Sequence, residues 1–144
     1  MEGAIMTPQF EEKHSKLPAL EHATHALRDA REYSAGVKRL SREWEAVANL
    51  IRRGGPRGTI VREFIMCLEL GAVGASRAMA FTLPHIRALQ LLVECCRDTP
   101  EFRAALETAL ASLTGEFETL VAAAAAAEAT AEKLAVLALA EIYR

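Results

Sequence analysis

From Phe102 onward, apolar residues step along the chain by four and three: Leu106, Leu110, Leu113, Phe117, Leu120, Ala124, Ala127, Ala131, Leu134 and Ala138. That spacing draws one apolar line down one side of a helix, and sustained over this length it is a heptad seam. A helix with such a seam must cover it with another helix. The chain is therefore constrained to helix-on-helix packing. Gly115 lowers helix propensity without breaking the phase. The alanine run at 122–127 is good helix with small contact side chains.

A second seam lies upstream. Leu20, Ala23, Leu27 and Ala30 repeat at the same spacing after Pro18, which opens the helix. Val37, Leu40, Trp44, Val47 and Ile51 continue in phase. Ser34-Ala35-Gly36 is a candidate break, so either one helix spans 18–53 or two meet near Gly36. A lone glycine costs only about 1 kcal/mol and does not decide between them. Residues 1–17 are weakly patterned, although Thr7-Pro8 suits the cap and first turn of a short helix.

Gly54-Gly55-Pro56-Arg57-Gly58 denies the helix continuation, and Thr59 is the predicted N-cap of the next one. Ile60, Val61, Phe64, Ile65, Leu68 and Ala72 give that helix a wide apolar face. Gly71, Gly74 and Ala75 lie near one another on it and would let another backbone approach closely. Thr82-Leu83-Pro84 begins another helix. Its body, Ile86 to Cys96, is apolar on nearly every side and is predicted to sit mid-bundle. Asp98-Thr99-Pro100-Glu101 reads as a stop and restart: a capping residue, a proline, then an acid in the first turn.

The fold expected is all-α: a single-domain bundle of five to seven helices around a hydrophobic central helix. Residues 18–144 would form the bundle and residues 1–17 a weakly structured N-terminal segment. A length of 144 residues fits one domain. The net charge of −2 argues against a general nucleic-acid binder. Three cysteines, two of them adjacent, make no disulfide framework and point to a reducing, intracellular setting. The first residues lack the basic-then-apolar pattern of a signal peptide. Leu120–Ala140 is long enough to span a bilayer, but Glu128, Glu132 and Lys133 would each cost roughly 2.5–3.5 kcal/mol near its centre. Spanning is disfavoured, and peripheral membrane contact through the seam stays open.

Little in the chain points to catalysis. His22 and His25 share a helix face, with Glu21 adjacent and His14 upstream, so a two-point metal grip is conceivable. A zinc site needs more ligands than these. Surface histidines are the favoured reading, and no metal or cofactor is expected. Cys95-Cys96 lacks the two-residue spacer of a redox pair. Both, like Cys67, read as small core residues. His85 is the one histidine in the same half of the chain, and nothing in the sequence brings it to a thiol. An enzyme is disfavoured. Four arginines, Arg52, Arg53, Arg57 and Arg62, crowd the glycine turn. They read first as a solvated loop. RNA backbone contact is a weaker alternative, since no aromatic residue is interleaved for stacking. The turn also lacks the Lys-Ser/Thr of a P-loop.

Residues 44–61, WEAVANLIRRGGPRGTIV, resemble the first homology motif of the Bcl-2 family of apoptosis regulators. Trp44, Glu45, Val47, Asn49, Leu50, Arg52, Gly54, Gly58, Ile60 and Val61 fall into place with one helical residue deleted. Phe102 stands where the second motif has its phenylalanine. Leu27 to Glu32 carries part of the third, with Arg31 in place of the glycine. The family's arginine, which pairs with the aspartate of a bound death-motif helix, is replaced by Thr59. Arg57 or Arg62 would have to supply that charge.

The resemblance implies helix-in-groove recognition. Val47, Leu50 and Ile51 would line an apolar trough, with Arg57, Gly58, Thr59 and Arg62 at its rim. The partners implied are amphipathic helices of pro-apoptotic proteins, sequestered to block cell death. The place implied is the cytoplasm, with the mitochondrial outer membrane as a docking surface. The competing expectation is a self-associating scaffold or homodimer, paired through the seam at 106–138. That seam is about 50 Å long at 1.5 Å per residue, more than one small domain readily covers.

Overall fold

Two helices of more than forty residues make the frame. The computed structural model describes the backbone of residues 8–74 and 82–144, and side-chain packing for residues 15–71 and 82–144. In chain order the helices are α1 (Pro8–Arg52), α2 (Arg57–Gly74), α3 (Thr82–Cys95) and α4 (Pro100–Ile142). The class is all-α as expected. The described residues form four helices rather than five to seven, because α1 and α4 each run unbroken.

Pro18 lies inside α1 and does not open it. The ring removes one backbone hydrogen bond and crowds the carbonyl four residues back, a cost of about 3 kcal/mol. The helix continues across it, and residues 8–17 are helical rather than weakly structured. Gly36 is likewise passed without a break, since the seam on either side is in phase. Residues 1–7 and Ala75 lie outside the described residues, as does the packing of His14, Ala72 and Gly74.

α1 and α4 pack antiparallel from Lys16 to Arg52 of one and Glu107 to Glu141 of the other. Lys16 Nζ lies 3.3 Å from Glu141 Oε2 and Arg31 Nε 4.0 Å from Glu128 Oε1. Trp44 Nε1 donates to Thr114 Oγ1 at 3.0 Å, and Arg52 Nε to Glu107 Oε1 at 2.9 Å. As one helix is read forward the partners step backward, which fixes the register. The covered seam on α4 runs through Leu106, Leu110, Leu113, Phe117, Ala124 and Ala131. Beyond Ala124 it departs from the expected line. Glu128, Ala135 and Ala138 are half-buried, whereas Ala127 is exposed and Leu134 is 52% exposed. The seam holds its alternation by taking Glu128 and Ala135, and Glu128 is tolerated there because its carboxylate reaches Arg31.

The C-terminus of α1 is closed by its glycines. Gly54 has φ +67°, a conformation that costs glycine nothing. Gly54 N–H donates to Ile51 O at 3.1 Å and Gly55 N–H to Leu50 O at 2.9 Å, the two bonds of a Schellman cap. α2 then starts at Arg57, earlier than expected. Thr59 N–H donates to the Pro56 carbonyl, so Thr59 lies in the first turn and is not the cap. α4 begins as predicted: Thr99 Oγ1 accepts from Phe102 N–H at 3.1 Å, with Pro100 at the first helical position.

α2 and α3 cover only one end of this frame. The core there centres on Trp44, which stacks on Phe117 at 5.8 Å between ring centroids and meets Phe64 edge-on at 6.3 Å. Ile60, Phe64 and Cys67 of α2 are buried against it, as are Ile86, Leu89 and Val93 of α3. The centre therefore lies between helices, and no single helix is central. α3 is a covering helix with one buried stripe. Leu91 and Leu92, expected inside, are each 44% exposed. A β-carbon at Gly71 would collide with the Leu83 side chain, so this glycine seats α3 on α2. Its neighbour is a side chain, not the backbone expected.

Candidate functional site

The arginine corner is the first place to look. Val47 is fully buried and Ile51 is 5% exposed. Both belong to the core cluster that also holds Ile60 and Phe64 of α2. Leu50 packs against that cluster and beneath Gly55. The expected walls of an apolar trough are thus sealed on each other, because the stripe that would greet a partner is the stripe that binds α1 to α2. Gly58 and Arg62 are exposed, and Thr59 is half-buried.

A small cavity of about 210 Å³ remains at this corner, lined in part by Ile51, Arg57, Cys96, Phe102 and Arg103. That is below the roughly 300 Å³ at which small-molecule sites usually begin. Its polar rim is internally satisfied. Arg103 grips Asp98 with two bonds, Nε to Oδ1 at 2.6 Å and Nη2 to Oδ2 at 2.7 Å. Those hydrogen bonds hold the Asp98 carboxyl below its ordinary value and raise the guanidinium above its own. Arg103 Nη1 also reaches Ile51 O at 3.4 Å, placing a cation at the negative end of α1. Arg57 donates to Cys96 O at 3.2 Å. Of the four arginines singled out in the sequence, Arg52 is taken by Glu107 and Arg57 by a backbone carbonyl. The corner is a structural clasp joining the ends of α1 and α3 to the starts of α2 and α4.

The cysteines do not assemble a nucleophile. Cys67 is fully buried, and burial, followed by the charges of Glu43 and Glu63, pushes its thiol up to about 12. It is a protonated core residue at any ordinary pH. Cys95 is exposed rather than core, and Cys96 is half-buried. His85 Nδ1 lies 3.8 Å from Glu116 Oε2, across the space between α3 and α4. His22 and His25 are exposed on α1. Among the described residues no three His, Cys, Asp or Glu side chains cluster as metal ligands.

Two apolar surfaces remain that the sequence reading did not single out. One is a trough between α3 and α4. A 280 Å³ pocket there is lined by residues including Ala88, Leu92, Ala109 and Leu113. A 600 Å³ pocket adjoins it through Ser112 and Glu116 and reaches Leu120. Small side chains on α4 keep this space open. The other lies on the last three turns of α4. Leu134 is 52% exposed, Val136 and Leu137 each 62%, Leu139 46% and Tyr143 79%. This end of α4 faces α1 alone among the described helices, and one neighbour cannot cover a helix that is apolar on several sides. The signal was present in the sequence as the apolar run LAVLALA at 134–140, denser than one seam requires. No described helix is long and apolar enough to cross a membrane.

No protein-family model matches this sequence, and no curated protein or solved structure matches it either.

Proposed function

We propose that this protein is a non-catalytic helical assembly module, a hairpin of α1 and α4 whose distal α4 surface is buried against another protein chain in use. The observation that carries this reading is the concentration of large exposed apolar side chains between Leu134 and Tyr143. Contiguous apolar surface of this kind marks interaction sites on soluble proteins. The test is a triple substitution to a neutral helix former, Val136→Gln, Leu139→Gln and Tyr143→Gln, followed by thermal unfolding at a concentration where the chain is monomeric, since a partner on the face would itself raise the melting temperature. A docking surface contributes nothing to the chain's own stability, so the melting temperature should hold. A fall of about 4 °C or more, which for a chain of this size is on the order of 1 kcal/mol, would show the face to be part of the fold and defeat the reading.

A second reading is supported by the trough between α3 and α4, which has the apolar lining that an amphipathic helix would need. The resemblance of residues 44–61 names one class of occupant, the death-motif helices of pro-apoptotic proteins, with sequestration as the outcome. The trough carries Glu116 beside His85 and offers no arginine to the aspartate of such a helix. A labelled death-motif peptide titrated into the folded protein decides this. Saturable binding that is lost in Leu92→Glu supports it, and no binding at micromolar concentration removes it.

A further inference from the structure

The exposed face of α4 is a second heptad line, separate from the one α1 covers. Ala122, Ala125, Ala129, Glu132, Val136, Leu139 and Tyr143 alternate at spacings of three and four, and every one of them is exposed. A line with that alternation is the surface one helix offers another in a coiled-coil contact. Its two halves differ in size. The N-terminal half is alanine throughout; the C-terminal half is Val136, Leu139 and Tyr143. Glu132 stands at the division, and Lys133 follows it.

We infer that the occupant of this face is a second copy of the same chain, packed antiparallel on α4 about a two-fold axis near residues 132 and 133. This rests on the reading of distal α4 as a docking surface, and it names what docks there. The argument is self-complementarity, which a two-fold contact demands of one patch. In that register Tyr143 of each copy comes level with Ala122 of the other. Leu139 enters between Ala125 and Ala126, and Val136 meets Ala129. Large residues fill the space left by small ones along the whole contact, as interdigitated packing requires. At the axis the two Glu132 side chains approach each other, and Lys133 of each copy flanks the Glu132 of the other, so the four charges at the centre sum to zero. A parallel pairing would set alanine on alanine and Tyr143 on Tyr143. That leaves voids at one end and crowding at the other. The antiparallel arrangement sends the two α2–α3 ends outward in opposite directions, where they do not meet.

The measurement is sedimentation velocity of the full chain up to millimolar concentration, with charge-swap variants. The wild type should associate to a dimer. Glu132→Lys alone and Lys133→Glu alone should each weaken the dimer at least tenfold, because each sets like charges together at the axis. The double swap, Glu132→Lys with Lys133→Glu, should restore it. Both substitutions are at exposed positions, so folding is not at stake. Orientation is read by cross-linking in a chain with Cys95→Ser and Cys96→Ser. Tyr143→Cys mixed with Ala122→Cys should give heterodimeric disulfides, whereas Tyr143→Cys alone should not link. A monomer at millimolar concentration overturns the second copy as occupant and leaves the docking surface itself to the melting test. A dimer that ignores the charge swaps, or that links through Tyr143→Cys alone, overturns the antiparallel arrangement.

Discussion

The two ends of the α1–α4 hairpin are built on the same heptad pattern and differ in what covers it. At the Trp44 end the seam is Trp44, Val47, Leu110 and Phe117, and α2 and α3 close over it until these side chains are 1% exposed or less. At the Lys16 end the seam is Leu20, Ala23, Leu27, Ala131 and Ala135, and most of these stay half-buried. The difference shows that periodicity alone does not make a core. Two helices bury a line; four helices bury a volume, and large side chains are affordable only where there is a volume to fill. Alanine at the distal end lets the two backbones come close, which is the packing a pair of helices can complete without help.

The comparison breaks most sharply at Trp44. Trp44→Ala should cost about 3–5 kcal/mol in denaturant unfolding, since it empties the ring stack and leaves the Thr114 hydroxyl without its donor. The same truncation at Leu20 should cost clearly less, because that side chain is only half-buried. Equal losses would mean the distal end is as well packed as the other.

Alkaline titration sharpens the same contrast. The Cys67 thiol is raised in the folded chain from 9.0 to about 12, so the unfolded chain loses its proton first. Stability is full below pH 9 and falls as pH rises toward 12, by at most about 1.4 kcal/mol per pH unit. Cys67→Ala should flatten that slope while lowering stability at pH 7. In the native state a thiol reagent should modify Cys95 and leave Cys67 untouched.

Between the two ends sits Ser34, 2% exposed, with a hydroxyl that has no hydrogen-bond partner. Ser34→Ala should raise stability by about 1 kcal/mol, because an unsatisfied buried hydroxyl costs more than its removal. A loss of stability would mean that the hydroxyl is satisfied in solution. The smallest effect belongs to the distal ion pair. Lys16→Ala breaks the contact with Glu141 yet should change unfolding by less than about 1 kcal/mol, as exposed pairs do. Salt should erase even that.

Much of the frame was legible residue by residue. The seam from Leu20 to Ile51 placed one side of the hairpin, and Leu106 to Ala124 placed the other. The stops at Gly54–Gly58 and Thr99-Pro100 were read from turn chemistry. Thr59 was misplaced because the Pro56 carbonyl, three residues earlier, already accepts the first helical bonds. α3 was set too deep because Leu91 and Leu92 count as apolar in a pattern whichever way they face. The corner residues Val47 and Ile51 looked like the wall of a cleft for the same reason, and α2 lies against them instead.

The sequence by itself determined that this chain is helical, that α1 stops before Gly54 and α4 starts after Thr99, and that α1 and α4 must each hide an apolar line. It did not say which line. α4 carries two, one through Phe117 and Ala131 and one through Val136 and Tyr143, and both have the spacing that asks for a neighbour. Only the tertiary structure decided that α1 takes the first and leaves the second outward. Periodicity records that a face gains by leaving water, while the identity of what covers it is settled by which other surfaces the folded chain brings within reach.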